Sequence, residues 1–172
     1  MRAEERRAAI LETLRRANEP VSAGALAAAC RVSRQIIVGD VALLRAAGED
    51  IAATPRGYVM QTAPAGIVRR VACRHTNAEM GDELNAIVDQ GCEVLDVVVE
   101  HPLYGQLTGA LRLKSRYDVG EFLRRCARAE AKPLSELTEG IHLHTLSCPS
   151  EAAFFRARAA LEALGFLLDE EN

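Results

Sequence analysis

The sequence predicts a mixed α+β protein in two parts, an N-terminal winged helix-turn-helix followed by a ferredoxin-like α+β domain. Two observations predict it. Residues 1–60 carry helical periodicity in three successive segments and then a short hairpin pattern. From Ile67 onward, β-prone runs interleave with amphipathic helices, with one hairpin in the middle. Between the two parts, "QTAPAG" (Gln61 to Gly66) contains small residues, one proline and no charge. This stretch is the expected linker, 61–66, separating a domain over 1–60 from one over 67–172.

The first helix is expected from about Ala3 to Ala17, with Ala9, Ile10, Leu11 and Leu14 as its apolar stripe and arginines outside it. Pro20 stops it, and Ser22 is placed to cap a short second helix over Ala23 to Cys30. "RVS" makes a tight turn. Ser33 then caps a third helix that ends at Gly48, with Ile36, Ile37, Val41, Leu43 and Leu44 as its expected buried side. "DIAATPRGYVMQ" gives two short strands about the turn Thr54-Pro55-Arg56-Gly57. Three helices and a wing point to DNA. The N-terminal turn of the third helix presents Ser33, Arg34 and Gln35, and in helix-turn-helix proteins that end enters the major groove. Its free N–H groups suit phosphate, Arg can pair bidentately with guanine, and Gln with adenine. Arg56 at the wing turn is positioned to reach a phosphate or the minor groove.

Composition and charge agree with this division. Hydrophobic residues make up 49%, enough for a core, but aromatics are only 4%, so aliphatic side chains must fill it. Residues 1–60 hold nine Arg against seven Asp/Glu, whereas the remainder is net acidic within an overall charge of −3. No run approaches the ~20 apolar residues needed to span a bilayer, and the charged N-terminus has no signal-peptide core, so a soluble cytoplasmic protein is expected. Five cysteines (Cys30, Cys73, Cys92, Cys126 and Cys148) form no CxxC pair, sit inside apolar runs and are odd in number. They read as small buried hydrophobes rather than a disulfide framework.

In the second part "GIVRRVACRH" is a strand. "TNAEMGDELNAIVDQG" is a helix whose Thr76 and Glu79 form a capping box. "CEVLDVVVEH", the turn "PLYGQ" and "LTGALRLKS" make a hairpin; "YDVGEFLRRCARA" is a helix, "GIHLHTLSC" a strand, "SEAAFFRARAALEALG" a helix and "FLLDE" a last short strand.

The chain has only four histidines, and two of them stand two positions apart in "GIHLHTL". Side chains alternate across a strand, so His142 and His144 share one face, their Cβ atoms within ~7 Å. His75 ends an earlier strand just before the Thr76 helix. In that helix Met80, Leu84, Ile87 and Val88 form the buried stripe. At 100° per residue Glu83 lies at the edge of this stripe, about 60° from Met80, while Asp82 lies on the wet side. Three imidazoles and one carboxylate make an N/O site suited to Zn(II), Ni(II), Fe(II) or Co(II), without choosing among them. Equally, two strand histidines can simply be hydrogen-bonded at a sheet surface. Cys73, on the strand of His75, and Cys148, on that of His144, are further soft-ligand candidates. His101, before Pro102 in a turn, is a weaker candidate. A DNA-reading domain joined to such a site suggests a regulator; a metal sensor and a small metal-dependent hydrolase are the alternatives.

"VSRQIIVGDVALLRAAGEDIAATPRGYVM" resembles the winged helix of the nicotinic-acid-responsive repressors of NAD biosynthesis and niacin uptake. "CRH", "GDELNAIVDQG", "VEHPLYGQLTG" and "GIHLHTL" resemble their three-histidine domain, in the same order and over nearly the whole chain. The resemblance implies that His75, Glu83, His142 and His144 bind a divalent metal, nickel or zinc. It also implies that the second domain senses nicotinic acid as a corepressor and that a homodimer binds operator DNA. His101, Tyr104, Arg74 and Arg112 are then the candidates for holding the effector.

Overall fold

The structure is a computed structural model that describes residues 2–129 and 132–168. Contacts divide it into two compact units, 1–63 and 64–172, and the division falls inside the expected linker.

The first unit contains α1 (Ala3–Arg16), α2 (Ala23–Cys30), α3 (Arg34–Ala46) and the hairpin β1 (Ile51–Thr54) and β2 (Gly57–Met60). The caps form as the sequence requires: Ser22 Oγ accepts from Ala25 N and Ser33 Oγ from Ile36 N. Ile10, Leu14, Leu26, Ile37, Val41, Leu44 and Ile51 fill the core, with Cys30 among them as a small hydrophobe. Ile36 and Leu43, expected inside, are 42% and 56% exposed. The stripe of α3 is therefore narrower than its apolar residues suggest. Asp40 takes the vacated inner position, where its carboxylate meets Arg6 Nε at 2.5 Å and Arg7 at 3.7 Å. This pair ties α1 to α3. Asp40→Ala should lower the unit's stability, because it removes the buried carboxylate that Arg6 and Arg7 share; urea unfolding followed by helical circular dichroism measures it. The wing is held to the α1–α2 connection by paired backbone bonds between Val21 and Tyr58 (2.8 and 2.9 Å). Gly57 makes that approach possible: its φ is +140°, and a Cβ would lie 2.3 Å from the Val21 carbonyl.

The second unit contains β3 (Ile67–Arg74), a 3₁₀ turn (Asn77–Glu79), α4 (Met80–Val88), β4 (Glu93–His101), β5 (Gly105–Leu113), α5 (Arg116–Arg128), a second 3₁₀ turn (Leu134–Thr138), β6 (Ile141–Cys148) and α6 (Glu151–Ala163). The Thr76–Glu79 capping box is present. Serines cap both later helices, Ser115 Oγ accepting from Asp118 N and Ser150 Oγ from Ala153 N. Val71, Cys73, Val94, Leu113 and Leu146 of the sheet pack with Leu84, Ile87, Val119, Ala157 and Leu161 of the helices. One sheet face thus carries the core.

The strand order is β3-β6-β4-β5, with every neighbouring pair antiparallel. The α+β class stands, but this is not the ferredoxin-like order expected from the element sequence. In that order the second hairpin strand separates the two parallel strands. Here β5 stays on the edge, paired only with β4, and the last strand β6 enters between β3 and β4. Hydrophobic alternation sets which face a strand buries, but not which slot it fills. "FLLDE" contributes one bridge, Leu167 to Cys73, and a bond from Leu168 N to Ala72 O, rather than a strand; its residues 169 and 170 lie outside the described ones. Cys92 and Cys148 are bonded as a disulfide, correcting the reading of all five cysteines as small buried hydrophobes. Glu93 faces Ser147 in the β4–β6 register, so the preceding and following cysteines are set opposite each other. No helix among the described residues is long and apolar enough to cross a membrane.

Candidate metal centre

The β3–β6 register sets His142 opposite Cys73 and His144 opposite Val71, on the face that carries the core. Both histidines are buried, at 4% and 3% exposure. α4 crosses this face and delivers Glu83, itself 1% exposed, while Asp82 is exposed as its helical phase requires. His75, one residue beyond β3, turns its side chain in beside Phe166, ring centroids 5.0 Å apart.

All three imidazoles converge on one carboxylate. His75 Nε2 lies 2.7 Å from Glu83 Oε2, His142 Nε2 2.9 Å from Oε1, and His144 Nε2 3.2 Å from Oε2. The rings stand edge to face, with centroids 4.8 Å apart for both His75–His142 and His142–His144. One potential ligand atom from each of His75, Glu83 and His142 falls within 4.8 Å of the others.

The opposite ring nitrogens decide what this cluster can do. His75 Nδ1 lies 2.8 Å from Thr76 O, His142 Nδ1 2.8 Å from Gly140 O, and His144 Nδ1 2.7 Å from Asp96 O. A carbonyl oxygen only accepts, so each Nδ1 carries the proton and donates it. In each neutral ring Nε2 is then a lone pair aimed at a carboxylate that also only accepts. Four acceptor groups facing one another in a buried site need a cation between them: protons on the imidazoles, or a metal ion. Fixing Nδ1–H on a backbone carbonyl is also how a metal-ligating histidine is oriented. The donor set fits a borderline divalent ion such as zinc or nickel.

The ionisation of the cluster follows from the same geometry. Burial pushes the Glu83 carboxyl up, but the charge of His144 and hydrogen bonds from all three histidines outweigh it and hold it well below the usual range. Burial alone would lower His144 and His75; Glu83 reverses this and raises both. Burial, reinforced by Glu83, raises the Cys73 thiol. Cys148 is committed to Cys92.

An open cleft of ≈ 530 Å³ adjoins the cluster, lined by Arg74, His75, Asn77, Glu79, Glu136 and Gly140 among others. Of the effector candidates, Arg74 lines it. Arg112 does not: it sits at a bulge with φ +56° and pairs with Glu93 at 3.2 Å. His101 and Tyr104 belong to the β4–β5 turn, where their rings stack 5.0 Å apart and His101 Nδ1 accepts from Leu103 N and Tyr104 N. In the first unit Ser33, Arg34 and Gln35 are exposed at the start of α3. Arg56, in contrast, folds back onto Glu19 at 2.9 Å instead of extending from the wing.

Gly140 is a site residue that the sequence reading missed. With φ +90°, it brings its chain so close to His75 that a Cβ would lie 2.3 Å from the His75 carbonyl, and its own carbonyl orients His142. A glycine directly before a histidine-bearing strand was the available signal. Gly140→Ala should displace His75 and lower divalent-metal affinity by ~10–100-fold, as loss of an orienting partner does; competition with a chromophoric chelator reads it.

Known proteins match this arrangement along its length. An HTH domain model matches residues 6–59 and a 3H domain model residues 68–170. The chain is 41% identical over 167 residues to a probable transcription repressor NiaR of Thermotoga maritima, covering 97% of this chain and 95% of that protein. It belongs to the NiaR-type repressor family. The transcription repressor NadR of Bacillus subtilis is likewise 41% identical over 169 residues, 96% of this chain and 94% of that one. In this chain an HTH domain precedes a 3H domain, and the histidine–glutamate cluster lies inside the latter.

Proposed function

We propose that this NiaR-type protein is a cytoplasmic, DNA-binding transcription repressor, not an enzyme. In this reading it senses nicotinic acid through a divalent metal held by His75, Glu83, His142 and His144, nickel or zinc, and controls genes of NAD biosynthesis or niacin uptake. The observation that carries the regulatory half is the set of three Nδ1–H···carbonyl bonds, which point three lone pairs at one buried carboxylate. The names of the two relatives support the DNA-reading half.

Bound there, the metal would supply an open position for a pyridine carboxylate. The chain's own part is to fix the rings, exclude water from the Glu83 side and offer the cleft beside His75, where Arg74 can meet a carboxylate. The protein acts as a homodimer, since two recognition helices one DNA turn apart read a palindrome. Effector and operator then favour each other by linkage. Elemental analysis of the purified protein, with thermal shifts for nicotinic acid, nicotinamide and an unrelated carboxylate, tests this reading. Stoichiometric metal and a shift selective for nicotinic acid are expected. Metal with no selective shift would instead indicate that the ion itself is the signal.

A further inference from the structure

Cys30, Cys73 and Cys126 are free, and Cys92 is bonded to Cys148. A disulfide is unusual in the cytoplasm proposed above, where cellular thiols keep most cysteines reduced and the disulfides that form are mostly transient. Both cysteines lie in the core, at 1% and 0% exposure. Two thiols would fill the same space as small hydrophobes, so the bond matters for what it constrains.

It constrains the start of β4. Cys92 directly precedes that strand, and Cys148 ends β6. Val94 faces Leu146 and Asp96 faces Thr145, so Leu95 has no partner on β6 and forms a bulge. Only Glu93 and Val94 stand between this bulge and the end of the strand. A slip of one residue would expel it, moving Leu95 opposite Leu146, Val94 opposite Ser147 and Glu93 opposite Cys148. Leu95 would replace Val94 on the core face, one aliphatic side chain for another. The disulfide bars this slip, because Cys92 cannot leave Cys148.

The bulge in turn orients a histidine of the candidate metal centre. At Asp96, the next residue, the main-chain carbonyl accepts from His144 Nδ1 at 2.7 Å and the carboxylate accepts from Thr145 N at 3.0 Å. A regular ladder points its carbonyls at the main chain of the neighbouring strand, not at a side chain. Expelling the bulge would therefore take the acceptor away from His144. The bond is also within reach of a reagent. Gly91 and Pro149, each next to one of the two cysteines, are exposed. Opening these two surface turns uncovers the sulfurs without unfolding the sheet.

We infer that Cys92 and Cys148 form a reversible thiol–disulfide switch, in which the disulfide holds the β4 bulge and the His144 ring in place and the dithiol releases them. This rests on the metal reading above and adds its regulation. The reagent is a low-molecular-weight cellular thiol. Its thiolate attacks one sulfur, breaks the S–S bond and forms a mixed disulfide; a second thiol attacks that and departs with the first as the small-molecule disulfide. Two electrons and two protons pass to the protein, which is left with two thiols, and the reverse exchange restores the bond.

The test equilibrates the full chain with reduced or oxidised glutathione, removes the glutathione and compares the two forms. Alkylation after denaturation should label five cysteines in the reduced form and three in the oxidised form. The reduced form should bind Zn(II) ~10–100-fold more weakly in chelator competition, as on loss of an orienting partner. Without metal, its amides across residues 141–148 should exchange faster with solvent. Cys92→Ala/Cys148→Ala should behave as the reduced form after either treatment, which separates loss of the bond from capture of Zn(II) by the freed thiols. Five labelled cysteines after oxidised glutathione would overturn the inference, as would equal affinity in two forms that both bind Zn(II). Binding of Zn(II) by neither form would overturn the metal reading. The exchange difference would then uphold the switch, and its absence would overturn the switch as well.

Discussion

Glu83→Gln should lower the affinity for Ni(II) or Zn(II) by ~100-fold or more, beyond the 10–100-fold typical of losing an outer partner of a metal ligand. The substitution preserves the shape of the side chain and removes its charge. Glu83 is the point on which His75, His142 and His144 converge, at 2.7, 2.9 and 3.2 Å. Without its charge, a divalent ion would meet only three neutral imidazoles in a buried site, and its own charge would have no buried counter-ion. Asp82→Asn is the matched control. It removes the neighbouring carboxylate from the same helix, but Asp82 faces solvent, and metal affinity should stay unchanged. Chelator competition at fixed pH measures both variants. Equal affinities in Glu83→Gln and wild type would remove the carboxylate from the site.

The second large effect is an opposite pH dependence of the metal-free and metal-loaded protein. In the metal-free state His75 and His144 are raised above their ordinary value of 6.5 by Glu83, against the effect of burial. A raised basic group contributes stability that is complete below the unfolded value and is lost as pH climbs through the folded one. Glu83 is held low, so its contribution is present above about 4.5 and is lost as pH falls toward the lowered value. The metal-free second unit should therefore lose stability as pH rises above neutral. Metal binding expels the same imidazole protons and strengthens as they leave. The increase in melting temperature on adding Zn(II) or Ni(II) should then grow from pH 6 to pH 8. Scanning calorimetry across this range with chelator or metal would show it. A metal-induced increase that shrinks with rising pH would mean that the imidazoles are not the ligands.

Sequence pattern made much of this site legible, and the limits were physical. The alternation in "GIHLHTL" placed His142 and His144 on one face because strand periodicity is rigid. The helical phase chose Glu83 over Asp82 for the same reason. The orientation of each ring was not legible, because Thr76, Gly140 and Asp96 act through main-chain carbonyls that carry no side-chain signature. The strand order, which puts β6 between β3 and β4, depends on tertiary packing that periodicity does not encode. Cys92 and Cys148 are 56 residues apart in sequence, and only the β4–β6 register brings them together. In the first unit the caps at Ser22 and Ser33 follow local rules and formed as read. Arg56 stands in the wing turn as read, but its pairing with Glu19 was not legible, since the turn pattern ignores a nearby acid. The pairing of Arg112 with Glu93 was not legible either, because the bulge that sets it leaves no mark in the hydrophobic alternation.

The central claim is that the histidine–glutamate cluster holds a metal through which a small carboxylate controls DNA binding. Its most direct test is a titration of a duplex, selected from random DNA by the wild-type protein, with metal-loaded protein in the presence and absence of nicotinic acid. Tighter binding with nicotinic acid is expected, and the gain should disappear in Glu83→Gln. Equal operator affinity with and without nicotinic acid would contradict the account.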